Sequence, residues 1–367
     1  MNLSSELLQP RHGGDLLWAA KVSGCEPEAI LDFSANINPL APPDWVEDYI
    51  TQNLDLLTRY PDPNYRELRR GIGEFHHLEP AWVWPGNGAA HLLTWLGRDL
   101  ATQGAVTLVT PAFADHGRAL RAFDADVKTW RLPWEHQDTS LPPSGQGLLL
   151  SNPHNPTGYL FPKHQLQALL NDWKLVVIDE SFMDFLPPHR EQSLIPLLSE
   201  YPNLVILRSL TKFYGLAGLR LGYVLAHPDK IRQYQQWDAP WSVNGLAAEL
   251  GAKLLQDRAF QQYTWDGLSE YYRQLYDGLS LLPGLHPYPS AANFILVKTT
   301  RPAPQLQRQL LLNHRILIRD TLSYPELGAG YFRVAVRQPA ENQRLLAALR
   351  REGIPPQQTA NGLGGDF

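Results

Sequence analysis

The chain has 367 residues, 44% of them hydrophobic and 19% charged, which is typical of a globular protein large enough for two lobes. Its formal net charge of −5 provides no general attraction for nucleic acid or anionic membranes, so neither is expected as a partner. The single cysteine, Cys25, excludes internal disulfides and metal sites with several cysteines. Because neither a signal-peptide core nor a membrane-length apolar run is present, we expect a cytoplasmic protein.

Short apolar runs alternate with amphipathic stretches from about residue 81 to residue 224. This pattern predicts a mostly parallel central sheet flanked by helices, with ligands bound at the carboxyl ends of the strands. Stretches such as HLLTWLGRDL and KHQLQALLNDW are the predicted helices between the strands. The predicted strands are WVW (82–84), AVTLV (105–109), GLLLS (147–151), KLVVID (174–179), LVILRS (204–209) and LRLGYV (219–224).

The sequence pattern predicts four parts of the chain. Residues 1–40 are too short for a lobe and predict an N-terminal arm that joins the small domain. Residues 41–260 form the predicted large domain. A long helical pattern followed by the strands NFILVK and YFRVAV predicts a smaller α+β domain over residues 261–354. Residues 355–367, rich in Pro, Gly and Gln, predict a flexible tail.

Two stretches that follow predicted strands offer polar groups without charge. In PGNGAAHLLTWL, the residues Gly86, Asn87 and Gly88 precede a helix, so their free amides could bind an anion. A plain tight turn is the alternative. In SNPHNPTGYL, the amide side chain of Asn155 is fixed between prolines, although a turn with capping asparagines explains it equally well.

Two further stretches carry charge. Asp179 ends the apolar strand KLVVID, where a carboxylate is costly unless it meets a cation or caps a following segment. Lys212 lies among small and apolar residues, which would lower its pKa and favour the neutral, nucleophilic amine. Ser209 and Arg220 could converge on the same anion as the glycine turn. Taken alone, Lys212 would more often be structural.

Together these stretches contain the parts that a pyridoxal phosphate site requires. The sequence SLTKFYGLAGLRLGY (209–223) resembles the S-x-[ST]-K-x(5)-G-x-R-x-G signature of fold-type I aminotransferases. The segments NPTG (155–158) and DESF (179–182) are similar to that family's neighbouring motifs. The resemblance implies a fold-type I pyridoxal-phosphate enzyme that works as a homodimer.

The resemblance also assigns residue roles. It implies that Lys212 binds the cofactor covalently and then transfers a proton, that Asp179 pairs with the ring nitrogen, and that Asn155 donates to the ring oxygen. It implies that Phe113 stacks on the ring and that Arg333 binds the substrate's α-carboxylate. The residues that would hold the cofactor phosphate are Gly86, Asn87, Gly88, Ser209, Arg220 and, from the neighbouring subunit, Tyr60.

Phe182 departs from the family pattern, which commonly has tyrosine there. A phenylalanine cannot donate to the ring oxygen. We therefore expect the pKa of the lysine–cofactor linkage to be higher than in relatives with tyrosine, and a clearly acidic value would contradict this.

Within the family the chain resembles two groups of enzymes that act on phosphorylated substrates. Histidinol-phosphate aminotransferases share RYPDP, the lysine signature and the C-terminal arginine strand. L-threonine-O-3-phosphate decarboxylases of cobalamin biosynthesis share these and also the early His-Gly-Gly, LDFSANINPL, DESF, ILIRD and RVAVR. We favour the decarboxylase, and keep as the alternative an aminotransferase with glutamate and 2-oxoglutarate as partners.

Both substrates carry phosphate, so a second anion site is expected. Its candidates are His12, Arg319 and Arg337, with Asn36 and Ile37 on the arm that closes over the substrate. Each could instead have an ordinary surface or capping role. A binding module without turnover is disfavoured because Lys212, Asp179 and Arg333 are all retained. No metal is expected, since the histidines lack HxxxH and HEXXH spacing.

Overall fold

The computed structural model describes residues 12–135 and 140–353 of the chain. The predicted tail, residues 355–367, and the first eleven residues of the predicted arm lie outside the described residues. The strands are β1 (Leu31–Asp32), β2 (Val83–Asn87), β3 (Val106–Thr110), β4 (Val127–Arg131), β5 (Gly145–Ser151), β6 (Trp173–Asp179), β7 (Leu204–Ser209), β8 (Leu221–Ala226), β9 (Leu285–Pro287), β10 (Phe294–Thr299), β11 (Ile316–Leu317), β12 (Arg319–Asp320) and β13 (Tyr331–Ala335).

Helices lie between most of these strands. They are α1 (Leu16–Ser23), α2 (Trp45–Gln52), α3 (Arg66–His76), α4 (Ala89–Thr102), α5 (Ala114–Arg121), α6 (Lys163–Leu169), α7 (Leu210–Phe213), α8 (Pro228–Trp237), α9 (Gly245–Gln256), α10 (Arg258–Ser280), α11 (Ala303–His314) and α12 (Pro339–Arg351). None of the helices in the described ranges is long and apolar enough to cross a lipid bilayer.

A seven-stranded sheet, in the order β2-β8-β7-β6-β5-β3-β4, forms the centre of the larger part. Strands β4, β3, β5, β6 and β7 are parallel to one another, and β8 is antiparallel to both of its neighbours. Strands β6, β7 and β8 are buried almost throughout, which is why they read as continuous apolar runs. The predicted mostly parallel α/β architecture is confirmed.

A four-stranded sheet, in the order β12-β13-β10-β9, forms the second part. The arm is tied to this part, because β1 and β11 form a separate two-stranded parallel sheet and the Ala335 amide of β13 donates to the Phe33 carbonyl. The arm also reaches the larger sheet's side, where the Asn38 side chain donates to the Phe213 carbonyl. The two sheets fall on either side of the predicted boundary at residue 260, while the domain limits themselves stay a prediction.

Candidate functional site

A cavity of about 290 Å³ opens where three parallel strands of the large sheet end. Ser151, Asp179 and Ser209 are the last residues of β5, β6 and β7, and all three line it. Carboxyl ends of parallel strands meet at one edge of a sheet, which places these polar groups together. We call this space the central cavity. Ten residues predicted from the sequence to bind ligands or act in catalysis line it: His12, Asn36, Phe113, Asn155, Asp179, Ser209, Lys212, Arg220, Arg319 and Arg333.

Lys212 belongs to the short helix α7, whose N-cap is Ser209. The arm fixes this segment, because the backbone amide of Asn38 donates to the backbone carbonyl of Lys212 at 3.1 Å. Burial, reinforced by the positive charges of Arg333 and Arg220, lowers the pKa of Lys212 to about 8. A substantial fraction of the amine is therefore neutral near physiological pH, as a nucleophilic lysine requires.

Asp179 is held from two sides inside the cavity wall. Ser181 donates its backbone amide to Oδ1 at 3.0 Å and its hydroxyl to the same oxygen at 2.5 Å. The ring of His116 contacts Oδ2 through Nε2 at 2.9 Å. Burial alone would raise the pKa of Asp179, but His116 and Ser181 outweigh it and lower the pKa. The carboxylate thus stays charged and can keep a ring nitrogen protonated.

Asn155 and Arg333 are bonded directly to each other. The Nη1 atom of Arg333 donates to Oδ1 of Asn155 at 2.5 Å, and both side chains are buried. Because the oxygen of Asn155 is engaged by the arginine, its amide nitrogen is left as the donor. That orientation agrees with a role in donating to a ring oxygen.

Arg333 has no carboxylate partner among the described residues. Its other contacts are the Tyr324 hydroxyl at 3.5 Å, the Ser34 carbonyl at 3.4 Å and the face of Phe294, 5.1 Å from the guanidinium carbon to the ring centroid. Its Nε is buried without a hydrogen-bond partner in the described part of the chain. Burial lowers the pKa of Arg333, with a further contribution from the charge of Arg319. A buried guanidinium with only neutral acceptors is costly, so this arrangement favours an anionic ligand.

Arg319 lies directly opposite Arg333 in the antiparallel pair of β12 and β13. Both arginines are at most 6% exposed, and both line the central cavity. The Nη2 atom of Arg319 donates to Ser323 Oγ at 2.7 Å. Like charges facing each other across a strand pair are unfavourable on their own. Two buried cations on one face therefore suit a ligand with two anionic groups.

The anion cradle is formed by a helix N-terminus and an arginine. Helix α4 begins at Ala89, and Ala89 and Ala90 line the cavity. The guanidinium of Arg220 lies across Gly88, where an added Cβ would be 2.3 Å from Nη2. A side chain at this position would displace the Arg220 guanidinium, and the φ of +79 is a backbone conformation that favours glycine. Unpaired amides, the helix dipole and Arg220 together suit a phosphate.

The three turn residues predicted for the cradle, Gly86, Asn87 and Gly88, do not themselves line the cavity, although Gly88 lies against Arg220. The backbone amide of Asn87 donates to Nδ1 of His91 at 3.2 Å, and Asn87 itself is exposed. Gly86 packs against Leu92, so its absent side chain makes room for the helix. The anion-binding amides are therefore expected in the first turn of α4, at Ala89 and Ala90, and not in the turn that precedes it.

Three further candidates lie outside the central cavity. The Tyr60 ring is 79% exposed and lies against Trp241 at a centroid distance of 4.6 Å. Arg337 forms a bidentate ion pair with Glu341 at 2.7 and 3.1 Å, so its positive charge is balanced by a carboxylate of its own chain. Ile37 is half-buried, whereas Asn36 lines the cavity with Oδ1 buried and without a partner in the described residues.

The arm closes the cavity beside Phe113. The exposed ring of His12 meets Phe113 edge-on at a centroid distance of 5.8 Å, and Phe113 makes a similar contact with His116. Phe182 also lines the cavity and packs against Phe294 at 5.1 Å. The expected effect of Phe182 on the pKa of the lysine–cofactor linkage stays a prediction.

Two side chains of the candidate site, His116 and Tyr324, are not among the residues predicted from the sequence. His116 follows Phe113 by three residues, so the first turn of α5 brings both to one face, a spacing that TPAFADH already contained. Tyr324 lines the cavity from the segment between β12 and β13. It belongs to none of the motifs, and no local pattern pointed to it.

The cavity, with its lysine, carboxylate and anion cradle on a mostly parallel sheet, is the arrangement of a pyridoxal-phosphate enzyme. The chain belongs to the aminotransferase class I and II family, whose model matches residues 28–349. The family uses pyridoxal phosphate, so the predicted cofactor is confirmed.

Named relatives fall into the two groups that the motifs indicated. Threonine-phosphate decarboxylase of Salmonella typhimurium is 41% identical, covering 95% of this chain and 99% of that protein. Histidinol-phosphate aminotransferase 1 of Mannheimia succiniciproducens is 29% identical over 87% of this chain and 89% of its own. The crystal structure of L-threonine-O-3-phosphate decarboxylase from Porphyromonas gingivalis superposes with a TM-score of 0.80 at 26% identity, covering 88% of this chain and 99% of that one. The predicted fold-type I class is thereby confirmed.

Proposed function

We propose that this chain is a pyridoxal-phosphate-dependent decarboxylase of L-threonine O-3-phosphate. The products would be CO₂ and an aminopropanol phosphate used for the nucleotide loop of cobalamin. The observation that carries the proposal is the pair of buried arginines, Arg319 and Arg333, facing each other on one side of the cavity. The substrate has two anionic groups, a phosphate and a carboxylate, which these cations suit. The relative of 41% identity supports the choice of reaction.

The residues of the cavity fit the cofactor. A side chain at Gly88 would displace the Arg220 guanidinium, and Ser209 and the first residues of α4 line the same cavity. These groups would hold the phosphate, and Asp179 would face the ring nitrogen. Asn155 would donate its amide to the ring oxygen, and Phe113 would cover the ring.

Pyridoxal phosphate, when bound, withdraws electrons from the substrate's α-carbon and so allows the carboxylate to leave as CO₂. The chain's own residues prepare that step. Arg333 binds the carboxylate, Arg319 binds the phosphate, and Asn36 and His12 lie at the arm side of the cavity. Fixing both ends of the substrate limits which bond at the α-carbon can break.

The net reaction replaces the C–COO⁻ bond at the α-carbon with a C–H bond. One proton is therefore consumed for each CO₂ released. Nζ of Lys212 would hold that proton and deliver it to the α-carbon. Its pKa of about 8 makes the protonated and neutral forms both accessible near neutral pH. Asp179 stays ionised throughout, since its pKa is lowered by His116 and Ser181 despite burial.

The proposal includes a homodimer in which Tyr60 serves the neighbouring subunit's site. Tyr60 is exposed and lies outside the central cavity of its own chain. Leu54 and Leu57, which are close to Tyr60 in the sequence, have exposed apolar side chains. Trp241, which contacts the Tyr60 ring, is also exposed. Exposed apolar groups of this kind are typical of a surface that another chain covers.

Kinetics with two substrates test the proposed function. The cofactor-loaded protein is assayed with L-threonine O-3-phosphate alone, and separately with histidinol phosphate plus 2-oxoglutarate. The proposal predicts repeated turnover of the first and at least about 100-fold lower kcat/KM for the second, a difference of about 2.7 kcal/mol in transition-state binding. The reverse preference would identify an aminotransferase and contradict the proposal.

A further inference from the structure

Tyr324 is a buried side chain of the central cavity to which no motif assigns a role. It is 3% exposed, and it lies in the segment that connects β12 to β13. The segment is held by its own hydrogen bonds. The Tyr324 amide donates to the Thr321 carbonyl at 2.9 Å, and the Leu327 and Gly328 amides donate to the Tyr324 carbonyl at 3.0 and 3.1 Å. The phenol is therefore carried on a constrained turn.

The Tyr324 hydroxyl meets the bonded pair of Arg333 and Asn155. It donates to Oδ1 of Asn155 at 3.4 Å and accepts from Nη1 of Arg333 at 3.5 Å. The three side chains close a triangle whose short side is the 2.5 Å bond between Arg333 and Asn155. The longer sides are weak as they stand, and active-site hydrogen bonds of this kind commonly shorten when a ligand binds.

This triangle determines which atoms of Arg333 remain for a ligand. Nη1 is turned towards Asn155 and Tyr324, and Nη2 donates to the Ser34 carbonyl. Nε is buried and has no partner among the described residues. Without the hydroxyl, the guanidinium would keep only one acceptor at Nη1 and could rotate away from it. The fixed orientation is worth most to a planar, bidentate partner such as a carboxylate.

We propose that Tyr324 is a positioning residue that holds Arg333 in the orientation needed for the substrate carboxylate. The inference rests on the proposed function and deepens it, because it names what makes the site prefer a carboxylate-bearing ligand. Tyr324 also supplies a phenol to a cavity in which Phe182 provides none. The phenol comes from the small sheet's connecting segment rather than from the end of β6.

The proposed role of Tyr324 concerns the binding of the ligand's carboxylate and not that of its phosphate. Loss of the hydroxyl should weaken the binding of a ligand that has both a phosphate and a carboxylate. It should hardly affect a ligand that has the phosphate alone, since the Tyr324 hydroxyl contacts Asn155 and Arg333, whereas Arg319 donates to Ser323. A general collapse of the cavity would weaken both ligands alike.

The experiment compares two unreactive ligands by isothermal titration calorimetry on the cofactor-loaded protein. The first is 3-phosphooxybutanoate, which has the substrate's phosphate and carboxylate but no amine. The second is isopropyl phosphate, the same molecule without the carboxylate. For Tyr324→Phe we expect the dissociation constant of the first to rise about tenfold and that of the second to change by less than about twofold.

Tyr331→Phe is the matched control. It removes a phenol from the same strand as Arg333, but this hydroxyl bonds Glu135 at 3.2 Å and is absent from the cavity lining. It should leave both dissociation constants unchanged. If Tyr324→Phe does not fold, Tyr324→Leu removes the same hydroxyl and is measured in the same way.

The outcomes distinguish this inference from the proposed function. A wild-type protein that binds 3-phosphooxybutanoate no better than isopropyl phosphate would contradict both. A wild-type protein that prefers the carboxylate, with a variant that keeps the full preference or loses affinity for both ligands equally, would overturn the role of Tyr324 alone. In turnover of L-threonine O-3-phosphate, the variant should show a raised KM with a smaller change in kcat.

Discussion

The Arg333 guanidinium donates to the Asn155 side-chain oxygen at 2.5 Å, which links the proposed carboxylate site directly to the proposed ring-oxygen donor. One residue comes from the small sheet and the other from the loop after β5 of the large sheet. A substrate bound to Arg333 would therefore act on Asn155, the side chain proposed to donate to the cofactor ring. On the proposed roles, this hydrogen bond would couple substrate binding to the environment of the cofactor.

Arg333→Lys tests the carboxylate site while it keeps the positive charge. Lysine cannot form the planar two-bond contact with a carboxylate or keep the same bond to Asn155. We expect kcat/KM for L-threonine O-3-phosphate to fall about 100-fold, which corresponds to about 2.7 kcal/mol. Steady-state kinetics provide the measurement, and Arg308→Lys on the exposed face of α11 is the control. An equal loss in both variants would contradict the assignment.

Arg319→Ala tests the second anion site, with Arg337→Ala beside it. The sequence offered both arginines, but only Arg319 lines the cavity, whereas Arg337 is paired with Glu341. Removing a charge-assisted bond to phosphate should raise KM about tenfold to 100-fold in Arg319→Ala. Arg337→Ala should raise it far less. A larger effect from Arg337→Ala would contradict the assignment of the phosphate site to Arg319.

His116→Gln tests how the charge on Asp179 is maintained. Burial raises the pKa of Asp179 and the contact with His116 opposes it, so weakening that contact should raise the pKa of this carboxyl. A less ionised Asp179 pairs less well with a ring nitrogen, and we expect the dissociation constant for pyridoxal phosphate to rise about tenfold. Spectroscopic titration of cofactor-free protein measures it. The exposed His164→Gln is the control, and unaltered affinity in His116→Gln would refute the role.

The lowered pKa of Lys212 predicts the pH dependence of cofactor attachment. Only the neutral amine reacts, and burial places the pKa at about 8 rather than at the usual value above 10. The attachment rate should therefore rise with pH up to about 8 and then level off. Stopped-flow absorbance on cofactor-free protein follows the reaction. A rate that keeps rising beyond pH 9 would mean an ordinary, solvated lysine.

Mixing two inactive variants tests whether Tyr60 serves the neighbouring subunit. Dimers that combine one Lys212→Ala chain with one Tyr60→Ala chain contain one site with both native residues. Random mixing would restore about a quarter of the sites, provided that each site is shared by two chains. A mixture of Lys212→Ala with Asp179→Ala should restore nothing, because both residues come from the same chain. Absence of recovery in the first mixture would place Tyr60 outside the site.

The parts of the site that could be predicted are those at strand ends in local motifs. Asp179, Ser209 and Lys212 were found because a buried apolar run leads directly to an unexpected polar or charged residue. Six of the seven strands of the large sheet were predicted from such apolar runs. Strand β4 was missed, since VKTWR lies at the sheet edge and is half exposed, without a continuous apolar run.

The rest depends on contacts between residues far apart in sequence. Tyr324 meets Asn155 across 169 positions, and no spacing rule connects them. The choice between Arg319 and Arg337 needed the strand register, which places Arg319 opposite Arg333. One local cue was available, because Glu341 follows Arg337 by four residues at the start of a helix and could be expected to pair with it.

The most direct test of the central claim uses L-threonine O-3-phosphate with a ¹³C-labelled carboxylate, added to the cofactor-loaded protein without any keto acid. We predict equal amounts of labelled CO₂ and aminopropanol phosphate over many turnovers, and neither product with Lys212→Ala. Failure to release labelled CO₂, together with conversion of histidinol phosphate once 2-oxoglutarate is added, would contradict the decarboxylase and establish an aminotransferase.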